Sequence, residues 1–335
     1  NWDFLRENLS KANRKKDIKD YELQCTEVKE HITEHGAIIA PRQFGRIRIL
    51  LHAYSGRRRH GDVQWFLEEC AAQHPDVIMH VISLDIVINS HYGDIGREEV
   101  RARWYTGMRQ GYVAGFLSGP PCCTWSKARG KQLKGKSSKG PRVLRDSNHL
   151  WGFDSVSIKE MLQLMDGHQL LGFSVIAMTI LATTGGAAIL EHPAEPEEQE
   201  LATIWRLPLL QLLSRLPGMQ HLNMAQGLLG APSPKPTGLL VLNLPSLPSW
   251  LVRWAVCPDL PKGRSIGTDE TGVYRTAELK EYPPAMCAAM AHAFTDATLT
   301  AIHAVPEQHV EHVPQDFLDL CQTMVSHDFG VEYRS

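Results

Sequence analysis

The sequence predicts an α/β fold in which a mostly parallel sheet is covered by helices on both faces. Three observations support this prediction: short apolar runs rich in β-branched residues, amphipathic segments between them, and polar residues directly after each run. Strands that alternate with helices in this way are typical of parallel sheets, because a parallel pair needs a crossover connection. The chain has 335 residues, 43% of them hydrophobic, so it can bury a large core.

The predicted elements follow a polar helical extension at 1–44 and alternate along the chain. We predict strands at 47–54, 77–84, 112–118, 187–190 and 239–243. We predict helices at 61–73, 97–108, 158–184, 201–216 and 284–295, with a polar loop at 124–150, a Pro- and Trp-rich loop at 244–264 and a helical tail at 301–335.

The composition excludes several classes of protein. Lys and Arg total 35 and Asp and Glu total 37, so any surface for nucleic acid must be local. The sequence contains no run of 18 apolar residues, so it predicts no membrane span. The charged N-terminal stretch does not resemble a signal peptide. Seven scattered cysteines without a CxxC pair favour a reducing, intracellular compartment and predict no metal site.

Polar residues follow four of the predicted strands. These sets are Ser55-Gly56, Asp85, the segment Pro120 to Cys123, and Glu191. In open parallel sheets, ligands bind beyond the carboxyl ends of the strands. We therefore expect these four sets to border one ligand site.

The segment Gly-Pro-Pro-Cys-Cys-Thr-Trp-Ser at 119–126 is the strongest chemical signal. Two prolines fix the path by which the chain leaves the third strand, so Cys122 faces the strand-end cleft. The alternative is a structural cysteine buried beside a turn. The segment resembles the nucleophile motif of the cytosine-C5 DNA methyltransferases, Gly-Pro-Pro-Cys-Gln-x-(Phe/Trp)-Ser, with Cys123 in place of glutamine. This resemblance implies a Rossmann-like methyltransferase fold that uses S-adenosylmethionine, with Cys122 as nucleophile.

Glu191-His192-Pro193 closes the next strand and resembles the family's Glu-Asn-Val tripeptide. The resemblance implies that Glu191 binds the target cytosine at N3. Thiolate addition at C6 is unfavourable unless an acid protonates or hydrogen-bonds N3, so the reaction needs both groups. The alternative is that Glu191 caps a helix beginning near Glu195. His192 stands where the family has asparagine.

The cofactor residues implied by the resemblance lie after the first and second strands. Ala-Tyr-Ser-Gly at 53–56 resembles the family's Phe-Ser-Gly-x-Gly-Gly opening and implies that Tyr54, Ser55 and Gly56 contact S-adenosylmethionine. Three arginines at 57–59 replace the further glycines, and they either pair with an anion or lie on a solvated turn.

Two acids and a proline complete the implied cofactor site. Asp85 matches the acid that hydrogen-bonds ribose hydroxyls in nucleotide-binding folds. Asp94, in Gly-Asp-Ile, resembles the family's contact to the adenine amino group, and its alternative is a turn former. Pro120 is implied to border the cofactor from the nucleophile segment.

The loop after Cys122 is basic before its first acid, Asp146. Its cations are Lys127, Arg129, Lys131, Lys134, Lys136, Lys139, Arg142 and Arg145. Such charge suits a phosphate backbone, and the alternative is a solvated flexible loop. The family's catalytic loop closes on DNA here, which implies that nucleic acid is bound by Ser126, Lys127, Arg129, Lys131, Lys134 and Lys136.

Two later segments resemble family patterns. The stretch beginning at Gln226 and ending in Lys-Pro-Thr at 235–237 is similar to one in phage-type members, and implies that Lys235 contacts nucleic acid. Pro234 stands where those members have arginine. Tyr-Pro-Pro at 282–284 resembles the start of the family's closing helix.

The resemblance therefore implies methyl transfer to C5 of cytosine in DNA, by a catalytic domain at 45–300 with a reduced target-recognition region at about 244–283. Because the thiolate is the reactive form, we expect the site to lower the pKa of Cys122. Two alternatives stay open: a non-catalytic methyltransferase-like domain that binds nucleic acid or acts as a scaffold, and a methyltransferase acting on cytosine in RNA.

Overall fold

The computed structural model describes residues 47–75, 77–127, 129, 141–263 and 279–303, together with residues 315 and 319. The extension expected at 1–44 and most of the tail expected at 301–335 lie outside these residues.

Six strands form one sheet. They are β1 (Ile47–Ala53), β2 (Ile78–Leu84), β3 (Val113–Ser118), β4 (Ala187–Pro193), β5 (Met219–Ala225) and β6 (Pro236–Leu242). Their order is β2-β1-β3-β4-β6-β5. The first four strands pair in parallel, whereas β6 is antiparallel to both β4 and β5. Only β6 is therefore reversed, which confirms the predicted mostly parallel sheet.

In the continuous ranges that the structure describes between 47 and 303, six helices cover the sheet. They are α1 (Val63–Ala72), α2 (Glu98–Arg109), α3 (Ile158–Thr184), α4 (Pro208–Leu213), α5 (Leu247–Arg253) and α6 (Pro284–His303). Buried side chains of α2, α3 and α4 pack in one apolar core, and those of α1, α5 and α6 pack in a second. The two cores lie on opposite faces of the sheet, because neighbouring strand residues such as Leu50 and Leu51 divide between them. This confirms helices on both faces and is compatible with a Rossmann-like fold.

Helix α3, with 27 residues, is the longest helix that the structure describes. A capping box of Ser157 and Glu160 begins it, and Gly185 ends it in the left-handed conformation, with φ of 76°. By length and composition α3 could cross a membrane, but 67% of its most apolar stretch is buried inside the protein. Such burial is typical of a core helix.

Three local predictions are wrong. The helix expected over 201–216 is reduced to a 3₁₀ turn at Ile204–Arg206 and the short α4. Pro208 begins α4 and lacks a backbone N–H, so the two segments cannot form one continuous helix. The loop expected over 244–264 contains α5, whose early proline is tolerated at a helix start. Strand β5 was not predicted, since it is an edge strand with mostly exposed or half-buried residues.

The strand order defines where a ligand can bind. β1 lies between β2 and β3, so the chain changes direction across the sheet at the β1–β3 boundary. Ligands of such sheets bind in the crevice at this switch point, beyond the carboxyl ends of the strands. Because β6 is reversed, the turn between β5 and β6 lies at the same edge as the end of β4.

Candidate active site

The segment after β3 and the end of β4 bring Cys122 and Glu191 together. Ser118, the last residue of β3, pairs with Leu190, so Gly119 lies beside Glu191. A Cβ added to Gly119 would lie 3.2 Å from Glu191 Oε2 and would overlap the Tyr282 hydroxyl. Glycine is therefore required here, and the carboxyl of Glu191 is directed at the segment that carries the cysteine.

The environment of Cys122 opposes its ionisation. Burial, followed by the charge of Glu191, raises the pKa of this thiol to about 11, and Lys235 acts in the opposite direction. The expectation of a lowered pKa is wrong, because the basic residues described in the following loop do not offset this burial. Cys122 is half-buried, so it is not the fully interred structural cysteine of the alternative interpretation, and its neighbour Cys123 is exposed.

Glu191 is a buried acid with two donors. It is 9% exposed. Gln226 Nε2 donates to Oε1 at 3.3 Å, and the Tyr282 hydroxyl donates to Oε2 at 3.5 Å. Burial raises the pKa of Glu191, while Lys235 and the Tyr282 hydroxyl lower it. The carboxyl can therefore hold a proton at a higher pH than an ordinary glutamate. The helix-cap alternative is wrong, because Glu191 lies inside β4 and a loop follows it.

The turn between β5 and β6 contributes two further residues. Gln226 is buried, and its Nε2 also donates to Thr237 Oγ1 at 3.0 Å. Its backbone N–H donates to the carbonyl of Lys235 at 3.2 Å. Lys235 has a positive φ of 37°, and its Nζ lies 5.8 Å from the centre of the Tyr282 ring. The structure thus brings Lys235 into the site, and its contact with nucleic acid stays a prediction.

The ends of β1 and β2 are joined by Asp85. Its Oδ2 accepts the backbone N–H of Gly56 at 3.0 Å, and its Oδ1 accepts that of Val87 at 3.0 Å. Gly56 has φ of 69°, and no atom lies within 4 Å of a Cβ built on it. The turn at the end of β1 therefore presents bare backbone to open space beside a carboxylate.

Tyr54 and Ser55, which were also predicted to contact the cofactor, direct their hydroxyls at backbone carbonyls of the protein. Tyr54 donates its hydroxyl to the carbonyl of Leu170 at 2.6 Å, so its phenol is directed towards α3. Ser55 is half-buried, and its hydroxyl donates to the Gly56 carbonyl at 3.2 Å.

Asp94 and Pro120 flank the same edge. Asp94 Oδ1 accepts the backbone N–H of Gly96 at 2.9 Å, as a turn former does. Gly93 packs directly against the backbone of Asp85, so the Asp94 segment lies beside the end of β2. Pro120 is buried immediately after β3.

Arg58 and Arg59 pair with carboxylates of the protein itself, so they follow the anion-pairing interpretation and not the solvated-turn interpretation. Arg58 is buried and pairs at 2.9 Å with Asp62, the N-cap residue of α1. Arg59 pairs with Glu281 at 3.0 Å and donates to the Tyr282 carbonyl at 2.6 Å. These two arginines therefore fix the loop after β1 to α1 and to the segment before α6. Arg57 is exposed.

The basic loop is described only in part. Lys131, Lys134, Lys136 and Lys139 lie outside the described residues. Lys127 is exposed and Ser126 is half-buried. Arg129 donates to the carbonyls of Arg142 at 2.7 Å and Cys123 at 3.1 Å, so it fixes the loop to itself.

Arg145 does not belong to the charged surface of this loop. Its side chain is buried, and its Nε and Nη2 donate to Thr124 Oγ1 at 3.2 and 3.1 Å. The expectation that it contributes surface charge for a phosphate backbone is wrong, because the guanidinium packs beneath the nucleophile segment.

One cavity lies away from this site. It has a volume of about 330 Å³ and lies at the opposite edge of the sheet, beside Arg48, Tyr112, Asn243 and Asp296. Neither Cys122 nor Glu191 borders it. Among the described residues, no group of three or more His, Cys, Asp or Glu side chains could bind a metal ion.

Sequence reasoning predicted the Cys122–Glu191 pair but did not predict that Gln226 and Tyr282 contact Glu191. Only the strand order, with β6 beside β4, indicates the Gln226 contact. No family model matches the chain, and no curated protein matches its sequence.

Proposed function

We propose that this chain transfers a methyl group from S-adenosylmethionine to C5 of cytosine in DNA, through a covalent bond between Cys122 and C6. The observation that carries the proposal is the Cys122–Glu191 pair at the ends of β3 and β4. A sulfur nucleophile and a buried acid whose pKa is raised are the two groups that addition to a cytosine ring requires.

The sheet supports the methyltransferase form of the Rossmann-like fold. A reversed strand, β6, is inserted between the last two of five strands that share one direction. This insertion departs from a plain doubly wound sheet. It also brings the turn that carries Gln226 and Lys235 to the edge where the crevice lies.

Glu191 and Cys122 have separate parts in the proposed reaction. Protonated Glu191 donates to N3 and draws electron density from the ring, so the sulfur of Cys122 forms a bond to C6. The electron pair of the C5–C6 double bond then makes C5 nucleophilic. After methyl transfer, a base removes the C5 proton, the C6–S bond breaks to restore the double bond, and Cys122 leaves as thiolate.

Lys235 favours the thiolate form that this attack needs. The pKa of Cys122 is about 11, so only a small fraction is ionised near neutral pH. Lys235 lowers this pKa, and protonation of Glu191 removes the negative charge that raises it. The two catalytic groups are therefore complementary: the protonated acid is also the form that favours the thiolate.

The residues at the ends of β1 and β2 fit the nucleotide end of S-adenosylmethionine. Asp85 can accept ribose hydroxyls, and the open space beside Gly56 admits a ligand close to the backbone. Ile86 and Val87 expose apolar surface next to Asp85, which suits an adenine ring. S-adenosylmethionine supplies an electrophilic methyl group when bound.

The experiment measures methyl transfer from labelled S-adenosylmethionine to DNA. We expect Cys122→Ala to abolish transfer and Cys123→Ala, the matched control at the neighbouring thiol, to keep most of it. DNA that contains 5-fluorocytosine should form a covalent adduct, mapped to Cys122 by peptide mass spectrometry. Undiminished transfer by Cys122→Ala would overturn the proposal. Parallel assays with transfer RNA and cytidine identify the substrate.

A second candidate is a non-catalytic methyltransferase-like domain. Two observations favour it: the pKa of Cys122 is raised, and the Arg58–Asp62 pair occupies the loop where the family has glycines. Titration calorimetry separates the two candidates. Absence of heat and of a thermal shift at millimolar S-adenosylmethionine favours the non-catalytic domain.

A further inference from the structure

Four buried side chains form a continuous stack behind the Cys122–Glu191 pair. The Arg145 guanidinium lies 4.0 Å from the centre of the Trp125 ring. The rings of Trp125 and His192 meet edge to face, with centroids 6.3 Å apart, and those of His192 and Trp205 do the same at 6.3 Å. Each of the four residues is at most 8% exposed. We call Arg145, Trp125, His192 and Trp205 the aromatic stack.

One end of the aromatic stack holds the nucleophile segment. The backbone N–H of Trp125 donates to the carbonyl of Cys122 at 2.9 Å. Arg145 donates twice to the hydroxyl of Thr124, the residue between Cys123 and Trp125. Helix α3 supports this contact, because a Cβ on Gly167 would lie only 3.1 Å from Thr124 Oγ1. These contacts of Thr124 and Trp125 therefore fix the backbone at Cys122.

The other end holds the strand that carries the acid. His192 follows Glu191 in β4, and consecutive strand residues point to opposite faces. The carboxyl of Glu191 therefore faces Gln226 and Tyr282, while the imidazole of His192 faces Trp125 and Trp205. Trp205 Nε1 also donates to the carbonyl of Pro193 at 2.8 Å.

We propose that the aromatic stack is a positioning device that sets the separation between the Cys122 sulfur and the Glu191 carboxyl, with His192 as the contact between the two segments. The proposal rests on the proposed function, because only a two-group reaction needs that separation to be fixed. The side-chain contacts described above join the four residues to one another, to Thr124 and to the Pro193 carbonyl, so they act on the reacting groups through the backbone and are positioning residues.

His192 contributes an uncharged ring that packs between Trp125 and Trp205. Burial, followed by the charge of Arg145, lowers its pKa to about 3, so the ring is neutral. Its Nδ1 has no hydrogen-bond partner among the residues that the structure describes. An aromatic ring of similar shape should therefore largely replace it, at the cost of the hydrogen bond between the imidazole and the Pro193 backbone. This separates the positioning role from a role in proton transfer.

The first readout is the alkylation rate of Cys122 by iodoacetamide, followed against pH in a Cys123→Ser background. His192→Ala should loosen the nucleophile segment and admit water, so the pKa of Cys122 falls from about 11 towards its ordinary value near 9. At pH 8 the thiolate fraction, and with it the alkylation rate, then rises by about 100-fold. His192→Phe should keep the slow rate of the parent protein.

Internal controls separate this effect from unfolding. Cys70 and Cys287 are buried elsewhere in the fold and should stay unreactive in every folded variant. His221→Ala is the matched control, because the exposed His221 ring lies 4.5 Å from Trp205 but outside the aromatic stack. It should leave the Cys122 rate unchanged. If His192→Ala exposes Cys70, the milder Trp125→Phe is compared instead, and a faster Cys122 rate is again expected.

The second readout is the kinetics of methyl transfer. His192→Ala should lower kcat by about 100-fold, as expected for an ångström-scale misplacement, with little change in KM for DNA. His192→Phe should restore kcat. A Cys122 alkylation profile in His192→Ala identical to that of the parent, with Cys70 and Cys287 protected, would overturn the positioning role. Absence of methyl transfer by the unmutated protein contradicts the proposed function instead, and the alkylation comparison does not depend on it.

Discussion

The Tyr282 hydroxyl lies 3.5 Å from Glu191 Oε2, although 91 residues separate the two along the chain. This contact links the segment before α6 to the end of β4. Its donated hydrogen bond lowers the pKa of Glu191, whereas burial raises it. The protonation of the candidate acid therefore depends on burial, on Lys235 and, to a lesser extent, on this residue from a distant part of the chain.

Tyr282→Phe tests that contact. Without the hydroxyl, the pKa of Glu191 should rise further, so the protonated form persists to higher pH. The limb of the kcat/KM profile for methyl transfer that reports Glu191 should shift to higher pH. Tyr105→Phe is the matched control, since its buried hydroxyl has no partner among the described residues and lies between α2 and α3. A Tyr282→Phe profile that coincides with that of the parent contradicts the assignment.

Glu191→Gln should make stability less dependent on pH. A carboxyl whose pKa is raised by folding destabilises the native state as pH rises above the pKa it has when unfolded. Replacing it with a neutral amide removes that cost. The gain in unfolding free energy, measured by urea denaturation, should therefore be larger at pH 8 than at pH 5. An equal effect at both pH values would show that Glu191 is not held protonated.

Lys235→Met should slow the reaction of Cys122 with iodoacetamide. Lys235 lowers the pKa of this thiol, so its loss raises the pKa and leaves less thiolate at any given pH. A decrease of about fivefold is expected, which corresponds to roughly 1 kcal/mol of partly screened charge interaction. Lys127→Met removes an exposed lysine from the neighbouring loop and serves as the control. Equal alkylation rates in the two variants would show that Lys235 does not influence the Cys122 thiol.

Asp85→Asn should weaken binding of S-adenosylmethionine more than Asp94→Asn does. Asp85 joins the ends of β1 and β2 by accepting the Gly56 N–H, whereas Asp94 completes a local turn. Loss of a charged acceptor is worth about a tenfold rise in Kd, measured by calorimetry. A larger rise in Kd for Asp94→Asn than for Asp85→Asn would indicate that S-adenosylmethionine does not bind at the end of β2.

Arg58→Met should destabilise the fold. Removing one partner of a buried pair leaves Asp62 without its cation and costs about 3 kcal/mol of unfolding free energy. Arg57→Met, at the exposed neighbour, should change stability by less than about 0.5 kcal/mol. Urea denaturation distinguishes the two, and similar values for both variants would mean that the Arg58–Asp62 pair contributes little.

The sheet was largely predictable because its central strands are buried on both faces. Runs such as Ile47–Ala53 and Val113–Ser118 are mostly apolar and almost wholly buried, so their composition identifies them as central strands. The edge strand β5 has no such signal, since its exposed residues are polar. Helix α5 was not predicted, because the proline and tryptophan content of 244–264 indicated a loop.

The site was predictable only where a motif identifies it. Cys122 follows the buried β3 and Glu191 lies near the end of the buried β4, so strand ends and the family resemblance predicted that the two residues lie close together. The contacts around them are long-range: Gln226 reaches Glu191 through the reversed β6, and His192 meets Trp125 across the β3–β4 boundary. Arg145 appeared as one more cation of a basic loop, because its burial beneath Trp125 depends on α3 packing close by at Gly167.

The reversed β6 also makes this protein adaptable. The turn at 226–235 joins β5 to β6, and its base is closed by backbone hydrogen bonds from Gln226 to Lys235 and from Gly227 to Pro234. Val256 and Cys257 donate to the Leu228 carbonyl, so the first part of the turn is also tied to the segment after α5. A longer segment grafted at the exposed Pro232 would extend beside the candidate catalytic groups while the strand register stays intact. New selectivity could therefore be engineered at this hairpin without redesigning the core.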